Sequence, residues 1–366
     1  MSGLFFIKKR NIYILIAAYN NNMKVLPSIG VSGEKDEKVN LDLRDKKILL
    51  MLSQNARTPL SKIAKVANLS RDSIKYRIQG YEKKGVLKKS RTLVDVSKLG
   101  YDSYHIFLRL NNPSQESEKK IIESLNNLPY VRAILKFHGS YDFEIALIAK
   151  TIAEFDQYLE EIIGKTKNYL QDYEILIITK SYRAGQFPNK FLKSIDTKSL
   201  YSKAARKDTD YKPDKKDMEI IKVMREDAQL SLLEIGDKVK LSPDAVSYRL
   251  KKMEDSIIIA FLPVINYQSL GYSVHALLLN ISGLDKDKER KIADFMKTNQ
   301  NILWAVKTVG RYNVLAYICT ENERELQDTI NSLRKEFPEQ ISHYDSLLAF
   351  EEYKYTYAPD CIFEDK

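Results

Sequence analysis

The stretch that decides the fold is LSRDSIKYRIQGYEKKGVL, residues 69–87, which returns in altered form as LSPDAVSYRLKKMEDSIII at 241–259. The two copies share Leu-Ser, and then Tyr-Arg followed by an aliphatic residue, at an offset of 172 positions. Two further motifs coincide at an offset of 171: Leu99-Gly100-Tyr101 with Leu270-Gly271-Tyr272, and Gly139-Ser140-Tyr141-Asp142 with Gly310-Arg311-Tyr312-Asn313. Self-similarity of this kind indicates that one structural unit is present twice.

The first part of each unit has the spacing of three short helices. Apolar residues recur on one helical face within 45–54, a second helix follows Thr58-Pro59, and a third follows Ser70 as its N-cap. Segments rich in β-formers come next, at 86–96 and again at 257–265. We interpret each segment as a hairpin, so that three helices and a hairpin predict a winged helix-turn-helix.

The remainder of each unit alternates in the order β-α-β-β-α-β, over 104–179 and again over 274–353. This order predicts a ferredoxin-like sandwich with two helices on one face of an antiparallel sheet. Strands such as AILKFHG and EIALIAK are apolar on both faces, so the second face needs a cover, and the sister copy is the nearest candidate. The predicted fold class is therefore α+β, with two copies of a winged helix-turn-helix and a ferredoxin-like module.

The repeat divides the chain into alternating segments. In order, they are an N-terminal tail at 1–40, a first winged helix-turn-helix at 41–98, a first ferredoxin-like effector and dimerisation domain at 99–183, a basic linker at 184–212, a second winged helix-turn-helix at 213–269, a second ferredoxin-like domain at 270–358 and a C-terminal tail at 359–366. The linker is rich in lysine and contains a proline, so we interpret it as an exposed connector.

Composition is typical of a globular protein and gives a hint about its partner. Of 366 residues, 44% are apolar and 30% are charged, and Lys and Arg exceed Asp and Glu by ten. An excess of this size suggests an anionic partner. Cys319 and Cys361 have no Cys or His at metal-ligand spacing, so neither a disulfide framework nor a zinc site is expected, and a reducing cytoplasm fits best.

The N-terminal stretch LFFIKKRNIYILIAAY, residues 4–19, is apolar but interrupted by Lys8, Lys9 and Arg10. The uninterrupted run is much shorter than the roughly 20 residues that a membrane span needs. A short apolar run after a basic one also has the order of a poor signal peptide. We favour a simpler interpretation, a loose tail or a true start at Met23.

The LS...YRI helix, the Leu-Gly-Tyr motif and the βαββαβ module with Gly-x-Tyr-Asp together resemble the Lrp/AsnC family of prokaryotic transcriptional regulators. The resemblance covers 41–183 and again 213–357. It implies binding of double-stranded DNA through the third helix, dimerisation through the sheets, and often a small effector such as an amino acid. Members usually carry one copy, whereas two are fused here, which implies an intramolecular pseudo-dimer and leaves further homo-oligomerisation open.

The two third helices offer different chemistry to DNA. In the first, the positions off the apolar stripe are candidates for reading base edges: Arg71, Asp72, Ser73, Lys75, Tyr76 and Gln79. Residues 71–91 contain eight basic side chains against two acidic ones, whereas 243–262 contain three against three. Because each phosphate contact releases counterions, with a salt slope of roughly −0.9 per phosphate, the first head should dominate affinity.

The other candidates for DNA contact lie in the cap, the wing and the second copy: Ser70, Arg77, Lys88, Lys89 and Arg91, and then Ser247, Tyr248, Arg249, Lys251 and Lys252. Arg77 and Arg249 also have a simpler interpretation as ion-pair partners between helices. The neutral second head is expected either to bind DNA weakly or to serve as a packing element. Alanine at Lys75 and Arg77, compared with the matched change at Ser247 and Arg249, addresses this question.

The candidate effector site is the turn Gly139, Ser140, Tyr141 and Asp142, which could offer backbone N–H groups and a carboxylate to an amino acid. Its counterpart is Gly310, Arg311, Tyr312 and Asn313, where an amide replaces the acid. The alternative is a tight connection between strands, in which glycine supplies a positive φ.

Two other functions stay open. Siroheme decarboxylases resemble this two-part architecture and also occur as fused pairs, but they require His and Arg around a tetrapyrrole. Of the four histidines, His105, His138, His275 and His343, only His138 lies near the Gly139 turn. A non-specific architectural DNA binder is the second alternative. No catalytic triad order, paired-carboxylate site or phosphate-binding glycine loop stands out, so neither an enzyme nor a cofactor is expected.

Overall fold

The computed structural model describes residues 25–33, 37–193, 195 and 209–364. The interpretations placed on residues 4–19 and on a start at Met23 therefore lie outside the described residues. Within the described part, no helix is both long and apolar enough to cross a lipid bilayer.

The elements of the first copy follow the predicted order. They are α1 (Leu43–Gln54), α2 (Leu60–Ala67), α3 (Arg71–Lys83), β1 (Leu87–Val94), β2 (Asp102–Leu110), α4 (Gln115–Asn126), β3 (Val131–His138), β4 (Phe143–Ala149), α5 (Ile152–Thr166) and β5 (Leu170–Ala184). A 3-10 turn at Val96–Leu99 leads into β2, and another at Asn189–Leu192 follows β5.

The second copy repeats this order. Its elements are α6 (Lys215–Met224), α7 (Leu232–Val239), α8 (Pro243–Glu254), β6 (Ile258–Ile265), β7 (Ser273–Ile281), α9 (Lys286–Thr298), β8 (Ile302–Val309), β9 (Val314–Thr320), α10 (Glu323–Glu336) and β10 (Ile341–Tyr355). A 3-10 turn at Asp360–Phe363 follows.

Side chains at the helix starts explain where the helix-turn-helix elements begin. Asp42 and Asp45 form a reciprocal capping box at α1, and Asp214 and Asp217 form the same box at α6. Ser70 caps α3 by accepting a hydrogen bond from a backbone N–H three residues on. Each cap satisfies a backbone donor that the first helical turn leaves free.

The βαββαβ modules close on each other as one eight-stranded barrel in the order β10-β3-β4-β2-β5-β8-β9-β7. Within each copy the strand order is that of a ferredoxin-like sheet. The strands β5 and β10, 15 residues each, are long enough to pair with their own copy along one part and with the sister copy along another. The prediction that the sister copy covers the open sheet is thereby confirmed.

The barrel separates two kinds of core. Alternate residues such as Phe107 and Phe137 from the first copy and Leu278 and Tyr317 from the second meet in one interior cluster. Residues of opposite orientation, such as Ile145, pack under the helices of their own copy. Because side chains alternate along a strand, strands apolar on both faces serve both cores.

The predicted hairpin within each winged head is wrong. Each copy supplies a single strand after its recognition helix, and β1 pairs antiparallel with β6 as a two-stranded sheet. The backbone N–H of Ala56 in one head donates to Phe261 O at 2.8 Å, and that of Ala228 in the other donates to Ser90 O at 2.7 Å. The two heads are therefore joined to each other by backbone hydrogen bonds.

Two segments expected to be loose are packed. In residues 25–33, Ile29 is fully buried, and its N–H donates to the Glu352 carboxylate at 2.8 Å. The linker begins inside the fold, since Phe187 and Phe191 are buried and their rings stack 4.0 Å apart. The exposed connector predicted for 184–212 thus does not apply to its first ten residues.

The C-terminal tail predicted at 359–366 is also packed where it is described. The backbone N–H of Cys361 donates to Pro129 O at 3.1 Å, and the side chain is mostly buried. Asp360 forms an ion pair with Arg225 at 2.5 Å. The tail therefore connects the first module with the second head.

His275 on β7 gives the fold a defined acid sensitivity. Burial lowers the pKa of its imidazole to about 4. The unfolded chain takes up this proton near pH 6.5 and the folded chain does not, so the stability contributed by the neutral ring is complete above pH 6.5 and is lost as pH falls toward 4. We expect His275→Gln to remove up to about 3 kcal/mol of the decline in unfolding free energy over this window.

Urea unfolding at pH 7 and pH 4.5 measures this effect. The matched control is His138→Gln, because His138 is exposed. An equal decline in wild type and His275→Gln would contradict the prediction.

Candidate nucleic-acid interface

The first recognition helix, α3, presents a polar face outward. Ile74 and Tyr81 are buried against the rest of the head. Five of the six predicted base-reading positions are exposed: Arg71, Asp72, Lys75, Tyr76 and Gln79. Ser73 is half-buried, and its N–H and hydroxyl bond the Ser70 cap at 3.1 and 2.8 Å. Tyr76, at 79% exposure, is the most prominent apolar surface of the helix.

Arg77 faces a cluster of acidic residues instead of open surface. Its guanidinium donates to Asp42 Oδ2 at 2.9 Å and to Asp45 Oδ1. The Tyr81 hydroxyl donates to the same Asp45 oxygen at 2.5 Å. These contacts fasten α3 to the start of α1, so the interpretation of Arg77 as an ion-pair partner between helices is confirmed.

The second head contains the same arrangement. Arg249 donates to Asp214 at 2.7 Å and to Asp217 at 2.9 Å. Asp217 also accepts a hydrogen bond at 2.5 Å from the hydroxyl of Tyr211, a residue that precedes α6. Asp217 is fully buried, so the guanidinium and hydroxyl supply partners that water cannot. Arg77 and Arg249 are positioning residues that hold each recognition helix on its head.

The two arrangements shift the pKa values of the outer carboxylates. The hydrogen bond from Arg249 lowers the pKa of Asp214. At Asp42, partial burial acts in the opposite direction, but hydrogen bonds from the Asp45 N–H and from Arg77 prevail and lower its pKa. Both carboxylates are therefore charged at neutral pH, which keeps the ion pairs intact.

The basic residues of β1 divide into two groups. Lys88 and Lys89 are exposed and remain candidates for phosphate contact, although the Lys88 ammonium donates to Gly30 O at 3.4 Å and that of Lys89 lies 3.4 Å from an Asp227 carboxylate oxygen. Arg91 instead donates to Tyr355 O, and its Nε lies 3.7 Å from a Glu226 carboxylate oxygen. Arg91 therefore belongs to the contact between the heads and the barrel.

The second recognition helix, α8, has kept the exposed aromatic residue and lost the basic one. Tyr248 is 62% exposed at the position equivalent to Tyr76. Ser247 is exposed at the position of Lys75. Lys251 and Lys252 are exposed too, and the Lys252 ammonium lies 4.5 Å from the Tyr248 ring centre.

The two candidate effector turns cross closely over the long strands of the opposite copy. Gly139 and Gly310 have φ of +151° and +152°. A Cβ on Gly310 would lie 2.3 Å from Ile175 O, and one on Gly139 would lie 2.7 Å from a Leu347 methyl carbon. Glycine is required at both positions by backbone conformation and by close approach.

The Asp142 and Asn313 side chains of these turns accept hydrogen bonds from backbone N–H groups of neighbouring strands. Asp142 accepts a hydrogen bond from the Leu110 N–H at 2.6 Å. Asn313 accepts one from the Ile281 N–H at 3.0 Å. These side chains therefore have structural partners in place, and effector binding at the turns stays a prediction.

Other groups of the turns bond to the opposite copy. The Ser140 hydroxyl donates to Asp345 at 2.6 Å, and the Arg311 N–H donates to Glu174 at 2.9 Å. Within the second copy, the Tyr312 hydroxyl also donates to Asp345. Since Glu174 and Asp345 occupy equivalent positions on β5 and β10, the turns act as two matching contacts between the modules.

A cavity of about 220 Å³ lies where the first head meets the second module. Its wall combines ammonium, carboxylate and aromatic groups: Lys38, Val39, Asn40, Leu41, Lys46, Phe191, Leu270, Tyr272 and Glu321. Among the described residues, no three His, Cys, Asp or Glu side chains are grouped as metal ligands.

Comparison with known proteins agrees with this geometry. The AsnC-type helix-turn-helix domain matches residues 41–82 and 214–254. A protein of Pyrococcus abyssi described as an uncharacterized HTH-type transcriptional regulator is 31% identical over 141 residues, which are 38% of this chain and 93% of that protein. The chain belongs to the Lrp/AsnC family. The regulatory protein AsnC of Haemophilus influenzae is also 31% identical, over 33% of this chain and 79% of its own length.

A solved structure shares the duplicated architecture of this Lrp/AsnC chain. The siroheme decarboxylase NirDL covers 84% of this chain and 91% of its own, with a TM-score of 0.57 and 13% identity. At that identity the likeness concerns the fold: a tandem arrangement of AsnC-like halves.

Two further basic residues of the first Lrp/AsnC head are candidates for DNA contact that were not predicted from the sequence. Lys62 and Lys65 are exposed on α2, which precedes the recognition helix. The equivalent residues of α7 are Glu234 and Asp237, also exposed. The offset of 172 positions identifies these pairs, but both lysines lie before residue 71 and so outside the basic segment 71–91.

Proposed function

We propose that this chain is a sequence-specific transcriptional regulator that binds double-stranded DNA mainly through its first head. One observation carries the proposal. Four exposed basic residues of the first head are each replaced by an exposed acidic or neutral residue in the second: Lys62 by Glu234, Lys65 by Asp237, Arg71 by Pro243 and Lys75 by Ser247.

The physical reason lies in the two components of DNA binding. Lys and Arg near the backbone neutralise phosphates and release counterions, which contributes affinity at any sequence. Side chains at the start of a recognition helix reach base edges in the major groove and contribute specificity. Arg71 and Lys75 are positioned for both tasks, because they lie in the first two turns of α3 and are exposed.

The second head keeps the helix-turn-helix but presents Glu234 and Asp237 where the first presents lysines. Carboxylates near a phosphate backbone are repelled. We infer that the second head makes weaker contact with DNA and that the operator is asymmetric.

We also propose that the chain is cytoplasmic and that its role is not catalytic. Similarity in fold to a siroheme decarboxylase keeps an enzyme as the second candidate. Incubation of the purified chain with siroheme, followed by an absorbance scan, separates the two. A change in the spectrum with loss of carboxylate groups would contradict a purely regulatory role.

An effector also belongs to the proposal. The cavity beside α1 joins a head to a module, so a small ligand there would contact both. Calorimetry with a panel of amino acids tests this. If no amino acid of the panel gives a binding signal, an amino-acid effector is contradicted, whereas the proposal of DNA binding is unaffected.

A genome-wide pull-down of bound DNA, followed by competition binding, tests the main proposal. A specific regulator should prefer its recovered sites over scrambled DNA by about 10³ or more at physiological salt. Equal affinity for both would indicate an architectural binder.

A further inference from the structure

The interior of the barrel contains one row of residues from each copy at equivalent positions. In the first copy the row across neighbouring strands is Ala133, Ala146, His105 and Leu176. In the second copy the same row is Trp304, Tyr317, Ala276 and Leu347. Every member is buried. At two of these positions the first copy has alanine where the second has Trp304 or Tyr317, and at a third the second copy has Ala276 where the first has His105.

The large residues of the second copy reach into the first. The Trp304 ring lies 6.1 Å from the His105 ring, and the Tyr317 ring lies 6.5 Å from that of Phe137. Trp304 and Tyr317 also contact each other edge to face at 5.8 Å. The alanines at 133 and 146 leave room for this aromatic pair, as close packing of a protein interior requires.

The two copies are also joined inside the barrel by a buried hydrogen bond. Glu144, fully buried on β4, accepts a hydrogen bond from the Tyr317 hydroxyl of the second copy and is bonded to His105 of its own copy. The position equivalent to Glu144 in the second copy is Leu315. A buried carboxylate needs its partners, so Glu144 requires the tyrosine that only the second copy supplies.

We propose that the barrel interior is a pairing code that allows a first module to join only a second module. Two first modules would leave a cavity between four alanines and would deprive Glu144 of Tyr317. Two second modules would bring Trp304 and Tyr317 against the same bulky pair. Both outcomes are unfavourable, since cavities and overpacking each destabilise a core.

The partner that fits each interior is thus the opposite half of this chain and not a like half from a second copy. This pairing also determines which heads lie together. Each barrel presents one basic head and one neutral head, and never two basic heads. The pairing code itself does not depend on DNA binding, so it can be tested apart from the proposed function.

Exchanging the rows within the full chain tests the code. One variant gives both copies large residues (Ala133→Trp, Ala146→Tyr), and a second gives both copies small ones (Trp304→Ala, Tyr317→Ala). A third variant, the complete exchange, combines these four changes with four more, His105→Ala, Glu144→Leu, Ala276→His and Leu315→Glu. In it, both rows and the position of the buried carboxylate are exchanged between the copies.

Each of the first two variants should lower the melting temperature by about 10 °C, and the complete exchange should recover at least half of the loss. Recovery would show that complementarity, and not the identity of any one residue, holds the modules together. A complete exchange no more stable than the weaker of the other two would overturn the proposal.

A measurement without interior substitutions covers variants that fail to fold. A protease site is placed within residues 196–208, the purified chain is cut, and the halves are unfolded and refolded together. Native mass spectrometry should find one first half with one second half. Pairs of two first halves or of two second halves would overturn the proposal.

Discussion

Replacing Arg71 and Lys75 together by alanine is expected to weaken binding to the chain's DNA site about 100-fold, because each residue contributes roughly 1–3 kcal/mol through base or phosphate contact. The slope of log K against log salt should become shallower by up to about two, as counterion release from two phosphates is lost. Fluorescence anisotropy with labelled duplex at several salt concentrations measures both quantities. Stability should change little, since both side chains are exposed.

The matched control lies in the second head. Ser247→Ala and Pro243→Ala change the equivalent positions of α8, and we expect less than a threefold effect from them, about 0.6 kcal/mol. The reverse change, Ser247→Lys, should strengthen binding. Equal losses of DNA affinity from changes in the two heads would contradict the proposal that the first head dominates binding. If neither set of changes lowers affinity, α3 does not contact DNA.

Replacing Arg77 by alanine is expected to lower the free energy of unfolding by about 3 kcal/mol, because it removes the cation that faces a mostly buried carboxylate. Asp45 would keep the Tyr81 hydroxyl and the Asp42 N–H but would lose its charge partner. Arg249→Ala should cost a similar amount in the second head, where Asp217 is fully buried. Urea unfolding followed by circular dichroism measures both changes.

Two arginines of one helix provide the control. Arg71→Ala should reduce DNA binding with little change in stability, whereas Arg77→Ala should reduce stability. If Arg77→Ala leaves the urea midpoint unchanged and reduces DNA affinity alone, its assignment as a positioning residue is wrong. Comparing Arg77 with Arg249 does not compare the two DNA-binding surfaces, so Lys75 and Ser247 form the better pair.

Much of the fold follows from local signals in the sequence. The N-cap Ser70 starts the first recognition helix as predicted, and Ser242 caps the second in the same way. The βαββαβ order is also correct, because alternation of strands and amphipathic helices reflects burial within one copy. Strands apolar on both faces predicted the union of the two modules, since such strands need cover on each side.

Contacts between distant segments could not be predicted in the same way. A β-rich segment such as 86–96 indicates a strand but not its partner, and the partner of β1 comes from the other copy. Arg91 has the character of a wing residue, yet it turns toward Tyr355, which is 264 positions away in the chain. The packed segment 25–33 has no periodicity that would distinguish it from a tail.

The candidate interface was predictable to the extent that it depends on helix geometry. The apolar stripe of α3 correctly predicted five of the six candidate side chains as exposed, whereas Ser73 is half-buried. The roles of Arg77 and Arg249 depend on carboxylates 32 and 35 positions away, so sequence left two interpretations open. Comparison of the two copies position by position is the signal that would have found Lys62 and Lys65.

Selection of bound duplexes from a random DNA library by the intact chain tests the central claim most directly. We predict an enriched operator with one strongly specified half-site, matching the basic head, and a second half-site of weak or no preference. Two equally specified half-sites in a palindrome would contradict the unequal heads, and absence of any enriched sequence would contradict a specific regulator.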